Sequence, residues 1–272
     1  MNTPVVLLHS SAASGRQWQA LADALRAHHE VHAVDFHGHG TQAPWPGPAP
    51  MSLADEAAPV ERLIERLGGA HVVGHSYGAA VAIKLASRRP ALVRSLVAYE
   101  PVLFGLLLDD PFSRREVQAV VGVAEAMRVR VAQGQPEAAA QRFIDFWSGP
   151  GAWASLSAER QQGFAARVPA VLQQFDGLFG DPLALADLAR LRMPTLLLSG
   201  GETVPAARRI VQLVHGALPA ARRETFDPMG HMGPVTHAAL FNQRVVEFLR
   251  DLGARHDRTS PSASTALVRT LP

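Results

Sequence analysis

Gly74-His75-Ser76-Tyr77-Gly78 carries the clearest chemical meaning in this 272-residue chain. The run reads G-x-S-x-G. It stands directly after a short apolar strand pattern and directly before a small-residue helical pattern, which is the context this motif requires. Glycines on both sides permit a turn too sharp for side chains, and such a turn lifts a serine hydroxyl clear of a sheet. A serine hydroxyl is a poor nucleophile and needs a base. The chain has 12 histidines, so composition does not choose one. Position does. His231 sits in Pro228-Met229-Gly230-His231-Met232-Gly233-Pro234, after the last strand pattern and before the last helix. Serine before histidine is also the chain order of the fold in which this motif occurs. His237 is the nearest rival, but it falls on the first turn of the final helical pattern. A serine activated by a histidine is equipped for acyl transfer.

Other chemistries find less support. The absence of cysteine excludes disulfides, thiolate metal sites and a cysteine nucleophile. His37-Gly38-His39-Gly40 places two histidines two residues apart in a glycine turn with no carboxylate cluster nearby, which is a weak basis for a metal site. No Walker or dinucleotide fingerprint is present. The formal net charge is +2 and Lys84 is the only lysine, which does not amount to the basic patch that nucleic acid needs. No run approaches the ~20 apolar residues of a membrane helix, and no secretory leader pattern is seen. A cytoplasmic protein acting on a small molecule, with neither nucleic acid nor membrane as partner, is expected. Its oligomeric state is not encoded visibly.

The elements that must position Ser76 and His231 are legible as an alternation. Short apolar runs at 5–8, 31–35, 71–74, 95–99, 195–199 and 223–226 read as buried strands. Helical patterns lie between them, at 14–28 (with Ser14 as its cap), 52–67 (Ser52 as cap and Glu56 in the first turn), 77–87, 204–218 and 236–252. Strand–helix alternation implies right-handed crossovers and a doubly wound α/β sheet. From about 106 to 191 no strand is evident. Four helical patterns fill that stretch, at 116–132, 136–147, 160–168 and 169–179. A helical block between two strands of one sheet should sit as a cap over the strand ends. Its aromatic residues, Phe143, Phe146, Trp147, Trp153, Phe164, Phe175 and Phe179, are expected to divide between the cap's own core and an apolar pocket, in a way the sequence does not assign. The organisation expected is a core of 1–105 and 190–253, a cap of 106–189, and a disordered tail of 254–272.

Taken together, Leu7-Leu8-His9-Ser10-Ser11, Asp35-Phe36-His37-Gly38-His39-Gly40, the turn at Ser76, Met193-Pro194-Thr195 and Gly230-His231-Met232 make the chain resemble an α/β-hydrolase of the capped, esterase-like kind over about residues 4–250. The family usually has two antiparallel strands before its first parallel one. This chain opens almost on the latter, so about six strands are expected. The resemblance implies a catalytic triad completed by an acid. The family most often places an aspartate after the strand at 195–199, but that position here holds Thr203. Some relatives carry the acid at the end of the preceding strand, which here is Glu100. Glu202 and Asp227 are the alternatives. An isolated glutamate ending an apolar strand is costly to bury unless it is paired, and His231 would pair it. The resemblance further implies that the backbone N–H groups of Tyr77 and Ser11 form an oxyanion hole. No metal and no organic cofactor is called for. The substrate implied is a small, largely apolar ester or related acyl compound. C–C bond, lactone or peracid chemistry with the same triad, and a non-catalytic binding protein on the same scaffold, remain as alternatives.

Overall fold

The computed structural model describes residues 3–47 and 50–259. The chain runs β1 (Val5–Leu8), α1 (Gln19–Leu25), β2 (Val31–Val34), α2 (Leu53–Arg66), β3 (Ala70–His75), α3 (Tyr77–Arg88) and β4 (Val93–Tyr99). It continues through α4 (Phe104–Leu108), α5 (Arg114–Ala132), α6 (Pro136–Ser148), α7 (Ala158–Phe179) and α8 (Leu185–Leu188). It closes with β5 (Thr195–Gly200), α9 (Pro205–Ala217), β6 (Ala221–Phe226), α10 (Gly233–Thr236) and α11 (Ala238–Thr259).

The six strands form one sheet in the order β2-β1-β3-β4-β5-β6, every pair parallel. Alternation along each strand divides the core in two. Val6, Leu8, Val72, Leu96, Ala98 and Leu197 face α2, α3 and α9, while Val5, Leu7, Val73, Val97, Leu196 and Leu198 face α1 and α11. Both faces are therefore covered, which is why these strands read as continuous apolar runs. The order reverses between β1 and β3, so the ends of β1, β3, β4 and β5 open onto one crevice. Among the described residues no helix is long and apolar enough to cross a membrane.

Several local expectations are corrected. The patterns at 160–168 and 169–179 are a single helix, α7, with Pro169 inside it. An internal proline costs a helix about 3 kcal/mol, and burial of Ala165, Val168, Val171, Phe175 and Leu178 along one side of α7 offsets it. Ser14 makes no side-chain cap; a short 3-10 turn at Gly15–Trp18 precedes α1 instead. Ser52 caps α2 with Glu56 in its first turn as expected, and Asp55 closes a reciprocal capping box. The last helix runs on to Thr259, beyond the expected start of a tail at 254, and residues 260–272 of that tail lie outside the described residues.

Candidate active site

The strand ends carry an unusual backbone. Ala12, Ser76 and Glu100 are the non-glycine residues with positive φ among the described residues, at 58°, 55° and 45°. They follow β1, β3 and β4 respectively. Such conformations cost of order 1–3 kcal/mol each and persist only where the surroundings enforce them. At Ser76 the enforcing residues are Gly74 and Gly78. A Cβ on Gly74 would come 2.5 Å from the Gly78 carbonyl oxygen, and one on Gly78 would come 2.2 Å from that of Leu8. The strand-to-helix turn can close only without side chains at those two positions.

The three side chains of the expected triad meet. Glu100 accepts at 2.7 Å from His231 Nδ1–H, which leaves His231 Nε2 as an acceptor 2.9 Å from Ser76 Oγ. A carboxylate cannot donate, so this tautomer follows from the partner. Glu100 is fully buried and both of its oxygens are used. Oε1 accepts from the Gly200 N–H at 2.7 Å, and Oε2 also accepts from the Thr203 hydroxyl at 2.6 Å. Thr203, at the family's usual acid position, is therefore a donor to the acid that faces His231. Glu202 and Asp227 are exposed, and neither is the partner of His231 Nδ1. His237 lies between α10 and α11 and pairs with Thr236.

The loop bearing His231 is held by the strands bearing its two partners. Tyr99 Oη donates to the Gly230 carbonyl at 2.7 Å, and His75 Nε2–H donates to the His231 carbonyl at 2.8 Å. Burial holds the His75 ring far below the usual histidine range, at about 3, so it is neutral. Its other nitrogen accepts from Gln17 Nε2 at 3.0 Å, and Gln17 Oε1 accepts from the Ser10 N–H and hydroxyl at 3.0 and 2.9 Å. The loop after β1, the turn at Ser76 and the loop at His231 thus form one hydrogen-bonded chain. Neither Gln17 nor His75 was singled out by sequence reasoning. A signal was available for His75, which is the second residue of the motif itself.

Tyr77 follows Ser76 at the start of α3, and Ser11 shares a cavity with Ser76. Among the described residues, no hydrogen bond occupies either N–H. Ser11 lines the cavity above Ser76, and Ala12 beyond it is pinned by donating its N–H to His39 Nε2 at 3.1 Å. The two nitrogens of His39 are thus engaged by the backbone of Ala12 and His37. No group of three or more potential metal ligands occurs among the described residues. Tyr77 points its hydroxyl away from the cavity, to Glu56 at 3.1 Å; burial raises the Glu56 carboxyl to about 7.

The opposite wall comes from the helices between β4 and β5. Phe104, Phe143, Trp147, Val171, Gln174 and Phe175 face Ser76 across the cavity. Of the aromatic residues singled out in the sequence, Phe143, Trp147 and Phe175 line it; Phe146 and Phe179 pack behind them, against Trp147 and Phe104. Phe104 was missed, because it precedes the stretch in which the helices were sought. Trp147 lies over His231 with ring centroids 4.2 Å apart. The cavity measures about 10 Å³, room for roughly one water. Any acyl substrate needs more, so this wall must give way to admit one. Gln174 is 1% exposed, and both polar atoms of its amide lack a hydrogen-bond partner. Each such buried group costs about 1–3 kcal/mol.

A serine on a strained turn whose hydroxyl meets an imidazole oriented by a carboxylate has the arrangement for nucleophilic attack on a carbonyl. The model of the alpha/beta hydrolase family matches residues 5–244, and the chain belongs to that family. Hydrolysis is the class of reaction that this membership supports. The chain is 30% identical over 254 residues to a "Dihydrolipoyllysine-residue acetyltransferase component of acetoin cleaving system" from Cupriavidus necator, spanning 88% of this chain but only 61% of that protein. It is 26% identical to a "Putative carbamate hydrolase RutD" from Pseudomonas savastanoi pv. phaseolicola, over 91% of this chain and 94% of the other. An alpha/beta hydrolase enzyme from a Medee basin deep-sea metagenome library shares its fold at a TM-score of 0.76 with 18% identity, over 91% of this chain and 90% of that one.

Proposed function

We propose that this hydrolase is a serine hydrolase, carboxylesterase-like, that cleaves an ester or related acyl bond of a small, largely apolar substrate through an acyl-enzyme on Ser76. Ser76 Oγ attacks the substrate carbonyl while His231 Nε2 takes its proton. Glu100 holds the Nδ1–H tautomer and stabilises the imidazolium. The N–H groups of Ser11 and Tyr77 receive the oxyanion. His231 returns the proton to the leaving oxygen, and the alcohol departs. Water then attacks the acyl-enzyme with His231 again as base, releasing the acid and restoring Ser76. The helices between β4 and β5 act as the cap, and their aromatic wall takes the apolar part of the substrate. No metal or organic cofactor enters these steps.

The observation that carries the reading is the continuous chain Ser76–His231–Glu100, with contacts of 2.9 and 2.7 Å on strained strand ends. Structural pairing alone would not need Ser76 at positive φ. The same groups could serve a carbamate or a lactone, so the acyl bond itself is read from a panel. The test is labelling by a fluorophosphonate, followed by peptide mapping, with Ser76→Ala as control. One adduct on Ser76 is expected, with hydrolysis of at least one of an ester, thioester, lactone and carbamate. Folded protein that takes no label and turns over none of them would remove the reading in favour of a binding protein.

A further inference from the structure

Gln174 is the exception in an otherwise apolar wall. It lies on α7, one turn from Val171 and Leu178 and beside Phe175, and all four residues line the cavity above Ser76. Its amide offers donors on Nε2 and lone pairs on Oε1. Among the described residues, these two atoms and Trp18 Nε1 are the buried side-chain polar atoms without a partner. Folded chains rarely leave such groups unpaired, and the exceptions call for a reason. Leucine would fill this position on an apolar helix face without that cost. The cavity supplies a reason, because a bound molecule could bring the missing partners.

The chemistry of those partners is narrow. Among the described residues, no charged side chain lines the cavity. A carboxylate or an ammonium would enter without a counter-charge, and a buried unpaired charge is strongly disfavoured. A carboxylate, ketone or ester oxygen accepts but does not donate, so it would leave Gln174 Oε1 unsatisfied. A carboxamide both donates and accepts along one edge, and satisfies Nε2 and Oε1 together. We infer that Gln174 is a specificity-determining residue, which pairs with a neutral carboxamide on the substrate, away from the bond that Ser76 attacks. This deepens the acyl-transfer reading of Ser76 and rests on it.

The test compares esters that end in a primary carboxamide with esters of equal length that end in the isosteric isopropyl group. One series carries the group on the acyl part and the other on the alcohol part, each with two to five methylenes between group and ester. Wild-type protein should favour the carboxamide member in at least one series by about tenfold or more in kcat/KM, since a site built for hydrogen bonds rejects a partner lacking them. Gln174→Leu should lower that ratio to one or below, and should raise the melting temperature of the unliganded protein. An unchanged ratio in Gln174→Leu, or a wild-type preference for isopropyl, overturns the inference while leaving Ser76 hydrolysis intact. If wild-type protein cleaves nothing, the hydrolase reading fails, and calorimetric binding of the same esters to Ser76→Ala decides. Tighter binding of the carboxamide that is lost in Ser76→Ala/Gln174→Leu supports the pairing; equal binding overturns it.

Discussion

The two walls of the cavity are finished to different degrees. On the sheet side, the polar groups around Ser76 are joined: Glu100 to His231, Gly200 and Thr203; His75 to Gln17 and His231; Tyr99 to Gly230. On the helical side, aromatic rings pack on one another, and among the described residues the amide of Gln174 has no hydrogen-bond partner. A wall that satisfies itself can hold a fixed geometry before any substrate arrives. A wall left unsatisfied waits for something to complete it. The difference teaches where to look for each property. Reactivity should reside in strand ends of the sheet, and choice of substrate in the helices between β4 and β5.

Mutations can break this division. The largest effect should come from Ser76→Ala, which should lower kcat/KM for any cleaved ester by about 10⁴-fold or more in steady-state assays. Residual turnover within tenfold of wild type would move the reactive group elsewhere. Glu100→Gln should follow, with a loss of about 10³- to 10⁴-fold, because the amide leaves His231 without an anion to set its tautomer. Glu202→Gln, assayed beside it, should stay within about twofold. Equal mild losses would show that the buried carboxylate does not orient the base. Gln17→Leu should cost less, about 10- to 100-fold and mainly in kcat, since it frees the Ser10 loop and one side of His75 without touching the reacting atoms.

The smallest effect tests the burial of the sheet side by pH. Burial holds His9 and His75 at about 3 and His71 at about 4, against an ordinary 6.5. Below pH 6.5 the unfolded chain binds protons at these rings that the folded chain does not, so stability falls as pH falls. Glu56, raised to about 7 by burial, acts in the opposite sense between about pH 4.5 and 7. Three groups outweigh one, at about 1.4 kcal/mol per pH unit for each uncompensated proton. Thermal melts should therefore show a lower melting temperature at pH 5 than at pH 7.5, and Glu56→Gln should steepen that decline. A flat profile would mean that these rings are solvated.

Much of the sheet side is legible in the chain itself. Ser76 carries its own glycines, and a glutamate followed by Pro101 at the end of the apolar run Ser95–Tyr99 marks a place where the strand must stop and the carboxylate must find a partner. The Thr203 donor to Glu100 was not legible, because a threonine in a turn has many equivalent explanations until the neighbouring strand is placed. The helical side was less legible for a different reason. A helix pattern shows that α7 forms, but which of its residues face Ser76 depends on how the whole helix lies against its neighbours. Pro169 suggested a break, and tertiary burial overrode it. Nothing in the sequence distinguishes Gln174 from any other polar residue of an amphipathic helix.

The 4.2 Å approach of Trp147 to His231 has a kinetic consequence. The indole is seated against the ring that must take the proton of Ser76, and it lines the cavity above that serine. If a substrate enters by moving the indole aside, binding is an exchange rather than a simple association, and the measured affinity is the intrinsic affinity scaled by the fraction of time the indole stands aside. A reagent that labels Ser76 should accordingly approach a ceiling rate as its concentration rises, set by how often the indole leaves. Trp147→Ala should lift that ceiling without changing the chemistry beneath it.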